Sequence, residues 1–173
     1  MVGICGMGGV GKTTTVKQVA QRVKKEKSSA MGGAGKTTMV KEVTKSANKE
    51  QLFDEVVIAV VSQSPDEKKI QVEIVDKLGF KFDEESVSGR ADQLRESLPS
   101  KTILLILDDV WKRLELNDIG IPYGHGHGGC KILMTSRFVY VCDGMGAEKK
   151  FTVEALDKEE AWNLFKETGS NFQ

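Results

Sequence analysis

The sequence predicts a three-layer α/β chain built on a mostly parallel five-stranded sheet, and three observations predict it. Short apolar runs of strand length alternate with stretches whose apolar residues recur at helical spacing, the pattern of strands joined by crossover helices. A glycine-rich turn, GMGGVGKTT at residues 6–14, stands between the first apolar run and the first helical stripe. An aspartate pair, Asp108 and Asp109, closes a later apolar run, at the carboxyl end of a strand, where parallel sheets place their sites.

Taken in order, Val2 to Cys5 is a short apolar strand. The turn after it fits G-x-x-x-x-G-K-[ST], the pattern of a phosphate-binding loop. Gly6, Gly8, Gly9 and Gly11, with Val10 among them, lack a Cβ and let the backbone turn its N–H groups inward around an anion. The helix that begins near Lys12 adds unpaired N–H groups and the positive end of its dipole. Val16, Val19, Ala20 and Val23 form its apolar stripe. Lys12 supplies a point charge for the outer phosphates, the Thr13 hydroxyl is suited to ligate Mg²⁺, and Thr14 continues the same turn. Strand, glycine loop and helix together are the context of nucleotide phosphate binding, and imply a P-loop NTPase fold.

The loop is then repeated. Residues 31–38, MGGAGKTT, copy it at an offset of 24 residues, and ten of thirteen positions agree between residues 7–19 and 31–43. Only one copy can stand at the end of the sheet's central strand. Ala30 occupies the place of the leading glycine, which costs about 1–2 kcal/mol if that site needs positive φ. Residues 24–29, KKEKSS, lie where the buried strand belongs, and a charged run cannot occupy the middle of a parallel sheet. In favour of the second copy, its helix, with Val40, Val43 and Ala47, is followed at a normal interval by the next strand. The first copy is the expected site, and the segment at about 30–50 is a duplicated loop and helix.

Residues 55–62, EVVIAVVS, are a β-branched run expected to form a buried strand, with Pro65 and Asp66 at its exit. Ile70, Ile74, Val75 and Leu78 share the face of a helix that stops at Gly79. After an acidic loop, Ala91, Leu94 and Leu98 form a second stripe, ended by Pro99. Residues 103–107 are the next strand and lead into Asp108, Asp109, Val110 and Trp111. Residues 120–129 form a loop, 131–136 a strand followed by Arg137 and a short helix, and 150–153 a last strand. Asp157 and Glu160 have the spacing of a capping box before a final helix whose apolar face is Ala161, Leu164 and Phe165.

A carboxylate at Asp108 can reach Mg²⁺ directly or through water, and Asp109 can hold an attacking water. The plainer alternative is a strand cap that opens a turn. Arg137 can stabilise charge on a terminal phosphate, or else is a surface arginine that starts a helix. His125 and His127 have no cysteine or carboxylate at ligand spacing and read as loop residues. Lys17, Lys24, Lys25 and Lys27 read as a solvated helix face, and Trp162 as core or interface packing. Residues 48–51, NKEQ, lack the aspartate of the N-K-x-D guanine motif, so adenine is preferred by elimination.

Lys plus Arg equals Asp plus Glu at 25 each, so net charge implies no nucleic-acid partner. No apolar run approaches the ~18 residues of a membrane helix, and the N-terminus has no signal-peptide pattern. Cys5, Cys130 and Cys142, widely spaced and odd in number, read as reduced thiols of a cytosolic or nuclear protein. Met1 stands almost at the first strand and Gln173 just after a helix, so a segment cut from a longer protein, truncated at both ends, is expected.

In their order these motifs resemble the nucleotide-binding (NB-ARC) domain of plant disease-resistance proteins, the NBS-LRR immune receptors. The resemblance rests on GMGGVGKTT, FDEVVIAVVSQSPD (residues 53–66), ILLILDDVW (103–111), GCKILMTSR (129–137) and FTVEALDKEEAWNLF (151–165). Trp111 after LDDV resembles the coiled-coil class rather than the Toll-like class. The resemblance implies that Lys12 and Thr13 hold phosphates and Mg²⁺, that Asp108 serves Mg²⁺ and Asp109 the hydrolytic water, and that Arg137 senses the γ-phosphate. It implies a cytoplasmic ATP/ADP switch in defence signalling, resting with ADP, active with ATP and reset by slow hydrolysis. The parent protein would add a coiled coil, leucine-rich repeats and signalling partners. The duplicated loop departs from the family pattern, and the GLPLA and MHD motifs are not in the chain. Two other functions fit the same residues. One is a small-molecule P-loop kinase or ATPase, for which no basic lid or acceptor site is seen. The other is an inactive fragment whose repeat blocks the pocket.

Overall fold

Strand β1 (Val2–Cys5) pairs on one side with β4 (Cys130–Ser136) and on the other with β5 (Lys149–Thr152). Strand β4 pairs in turn with β3 (Ile103–Val110), and β3 with β2 (Glu55–Val60). Every pairing is parallel, and the order is β2-β3-β4-β1-β5. This computed structural model describes residues 1–26, 53–98, 102–123 and 129–169. The repeated loop at 31–38, the NKEQ stretch, Pro99, His125 and His127 lie outside the described residues, as do the side chains of Val23, Ala161, Leu164 and Phe165.

Alternation along the strands divides the core into two clusters. Ile4, Val56, Leu104, Ile106 and Leu133 meet Val16, Val19 and Ala20 of helix α1 (Lys12–Glu26) on one face. Cys5, Val57, Ala59, Leu105, Leu107, Ile132 and Met134 face the other way. Their partners come from α2 (Glu67–Leu78), α3 (Val87–Ser97), α4 (Leu116–Ile119) and α5 (Val139–Gly144). The expected three layers are therefore present.

Helix α2 starts on Asp66, whose side chain accepts from the Lys69 N–H, and stops at Gly79 at φ 76°. Asp157 and Glu160 exchange the two bonds of a capping box, at 2.8 and 3.1 Å, ahead of α6 (Lys158–Gly169).

Four details differ from the sequence reading. Strand β2 stops at Val60, which is 55% exposed: β2 is the outermost strand on its side among the described residues, and Glu73 accepts the Val60 N–H at 3.0 Å. Strand β3 runs on past Leu107: its pairing shifts at the aspartates and resumes at Val110 opposite Ser136. Helix α4 spans only four residues, too short to leave a periodic stripe. Trp162 is not in the core but 58% exposed on α6, with the Lys166 ammonium 5.9 Å from its ring.

Candidate functional site

Because β4 lies between β1 and β3, three strand ends converge: the glycine loop after β1, Arg137 after β4, and the aspartates of β3. Gly6 opens the loop at φ 153°, and a Cβ there would stand 2.2 Å from the Val153 carbonyl oxygen. That oxygen is fixed, since the Val153 N–H donates to the Cys5 carbonyl at 2.7 Å. Any side chain at Gly6 would push β1 and the end of β5 apart, so the place requires glycine. Gly9 and Gly11, at φ 82° and 91°, carry the chain into α1, where the Thr15 N–H donates to the Gly11 carbonyl at 2.8 Å. Gly8 and Thr14 are exposed, and Val10 and Thr13 half-buried.

Lys12 is only 7% exposed, and its Nζ donates to the carbonyls of Gly6 and Met7 at 2.7 Å each. Burial, and then the neighbouring Arg137 cation, hold its pKa below the ordinary lysine value against the pull of Asp109 and Asp108. Its charged form is thus under-stabilised by the protein alone, a condition that a nearby polyanion relieves.

Asp108 is 3% exposed, and its Oδ1 accepts from Thr13 Oγ1 at 3.1 Å and from Thr135 Oγ1 at 2.6 Å. Thr135 in turn accepts the Asp109 N–H at 2.8 Å. This threonine holds the Asp108 carboxylate and the Asp109 backbone together, a role that its residue type alone does not announce. Its only signal was a hydroxyl within an apolar strand run. Ser136 works similarly, donating to the Val110 carbonyl at 2.7 Å and so pinning β4 to the shifted part of β3.

Asp109 has φ 58°, a conformation that aspartate tolerates better than most side chains. Its carboxylate accepts from Trp111 Nε1 at 3.0 Å and lies 3.7 Å from Arg137 Nε. The guanidinium of Arg137 stacks 4.3 Å over the Trp111 ring and reaches the loop, where a Cβ on Gly8 would be 3.3 Å from Nη1. Lys12, Thr13, Asp108, Asp109 and Arg137 therefore form one group. Two cations and a glycine-lined turn suit a polyphosphate. The Thr13 and Asp108 oxygens suit a hard divalent cation such as Mg²⁺. Among the described residues no group of three or more His, Cys, Asp or Glu converges, so the remaining ligands of such a cation would be phosphate oxygens and water.

The NB-ARC domain family matches residues 27–172, which leaves the first glycine loop outside the match and the second inside it. The disease resistance protein RFL1 of Arabidopsis thaliana is 36% identical over 169 residues, covering 96% of this chain and 16% of the relative. The disease resistance protein RPS5 of the same plant is 32% identical over 168 residues, covering 95% of this chain and 16% of the relative. The chain thus spans 16% of the length of these curated relatives. Among solved structures, the Aeropyrum pernix ORC2 protein, described in ADPNP–ADP complexes, superposes with a TM-score of 0.59 at 19% identity over 98% of this chain and 45% of that one. At that identity the likeness is one of fold.

Proposed function

Because the chain belongs to the NB-ARC domain family, we propose that it binds ADP or ATP with Mg²⁺ at the carboxyl ends of β1, β4 and β3, as the switch domain of a plant immune receptor in defence signalling. One observation carries this reading: the chain of bonds Thr13–Asp108–Thr135–Asp109 links the first glycine loop to β3 across β4. The backbone of Gly6, Gly8, Gly9, Val10 and Gly11, with Lys12, Thr13 and Thr14, cradles the phosphates. Thr13 and Asp108 hold Mg²⁺, which when bound offsets phosphate charge. Arg137 meets the terminal phosphate, and Asp109 orients water. Asp109 is already engaged by Trp111 and Arg137, which supports hydrolysis that is slow at most.

A switch of this kind works only as far as the two nucleotides favour different conformations, and a swing from 1:99 to 99:1 takes about 10⁴-fold differential affinity. Its signalling partners in the cytoplasm, and a coiled coil and leucine-rich repeats in the parent protein, belong to the same reading. Nucleic acid does not. No helix among the described residues is long and apolar enough to cross a membrane.

A second assignment places Lys36 of the repeat at the phosphates, and the family match beginning at residue 27 favours it. The glycine required beside Val153 favours Lys12, since the repeat has Ala30 at that place. Equilibrium binding of fluorescent ADP to the purified chain decides. Lys12→Ala is expected to abolish saturable binding and Lys36→Ala to spare it. The opposite pattern moves the site to the repeat. No saturable binding to the unaltered chain would leave an inactive fragment.

A further inference from the structure

The geometry points to Trp111 as a positioning residue for Arg137 and Asp109, an inference that rests on the nucleotide reading above. The indole sits half-buried directly after β3 and makes two different contacts. Its Nε1–H donates to Asp109 Oδ2 at 3.0 Å, and its ring lies 4.3 Å beneath the Arg137 guanidinium. The Phe138 ring packs against it edge-on, at 6.0 Å between centroids, and holds it in place.

Arg137 is 42% exposed even with the ring in place, and without it would be a long side chain with many rotamers and one loose ion pair at 3.7 Å. Stacking confines the guanidinium to a plane that passes beside Gly8, where a terminal phosphate would arrive. Arg137 then chooses between two anions. With a diphosphate it stays with Asp109, and with a triphosphate it turns to the added phosphate while the ring keeps its plane. The indole N–H keeps the Asp109 carboxylate oriented after the guanidinium has turned away. Trp111 therefore acts on the difference between the two nucleotides rather than on binding of either.

The test measures the affinity of the 173-residue chain for ADP and for a non-hydrolysable imido analogue of ATP, both with Mg²⁺. The proteins compared are the unaltered chain, Trp111→Leu, Trp111→Phe, Arg137→Ala and the double variant Trp111→Leu/Arg137→Ala. Trp111→Leu is expected to weaken the triphosphate analogue about fivefold, the scale of a partly exposed cation–π contact, and ADP less than about twofold. The double variant should lose no more than Arg137→Ala alone, and Trp111→Phe, which keeps the ring face, should recover most of the discrimination. Equal weakening of both nucleotides, or additive losses in the double variant, overturns the positioning role. Should Trp111→Leu not fold, Trp111→Phe decides: discrimination close to that of Arg137→Ala overturns the stacking role. Nucleotide binding that does not depend on Lys12 overturns the site reading and this inference together. Lys12-dependent binding with an unaltered ratio in Trp111→Leu overturns this inference alone.

Discussion

Five polar side chains are buried among the described residues, and two regions use them differently. Gln71 stands among the helices, fully buried, its Nε2 donating to the Val87 carbonyl at 3.0 Å and the Ile119 carbonyl at 3.1 Å. It ties α2 to the start of α3 and the end of α4. Lys12, Asp108, Thr135 and Ser136 stand instead at the carboxyl ends of the sheet. There the Thr135 hydroxyl holds a carboxylate in place, Ser136 pins β4 to β3, and the lysine ammonium donates to two loop carbonyls. A buried amide between helix ends closes the fold. A buried cation beside two aspartates and an arginine leaves an electrostatic cost that an anionic ligand removes.

The contrast can be broken most directly at Lys12. Lys12→Met is expected to weaken ADP binding about a hundredfold, the scale of two lost charged hydrogen bonds, while the melting temperature of the nucleotide-free chain stays put, because water reaches the freed loop carbonyls. A marked drop in melting temperature would make Lys12 a fold-stabilising group like Gln71. Gln71→Leu should do the reverse: it leaves the buried Ile119 carbonyl and the part-buried Val87 carbonyl without the amide donor but also removes the unpartnered Oε1, so it lowers stability by about 1 kcal/mol in urea unfolding and leaves ADP affinity unchanged.

Asp109 sharpens the contrast through its backbone. Asp109→Ala is expected to cost about 1–2 kcal/mol in urea unfolding because alanine tolerates φ 58° poorly, whereas Asp109→Asn should cost less than about half of that. Equal losses would mean that charge, not conformation, dominates there. The smallest effect is that of pH. The lowered Lys12 value means that folding disfavours the ammonium relative to the unfolded chain. Its contribution to stability is complete above the unfolded value and lost as pH falls through the folded one. Polyphosphate binding needs the ammonium, so ADP affinity should decline with rising pH before the ordinary lysine value of 10.5 is reached, and Lys12→Arg should flatten that decline.

Most residues of the candidate site were legible because their chemistry is local in sequence. The glycine loop, the Asp108–Asp109 pair and Arg137 each mark a strand end by residue type alone, and strand topology then brings them together. Thr135 and Ser136 were not legible, since a hydroxyl in a buried strand gains its meaning only from the neighbouring strand. The left-handed turn at Asp109 and the shifted register of β3 arise from that same pairing and leave no periodic trace. The burial of residues 55–62 was overestimated because the sequence carries no signal for which strand lies outermost. Of the two roles expected for Trp162, core packing fails and interface packing stays open, because an amphipathic helix does not reveal how much of its stripe is covered.

One close approach has a mechanical corollary. At Gly6 the glycine loop rests backbone to backbone on Val153, with no side chain between them to absorb a movement. Five residues later the chain enters its last described helix, α6. A shift of the loop at Gly6 therefore meets the Val153 backbone directly, with only residues 154–157 between that point and the helix.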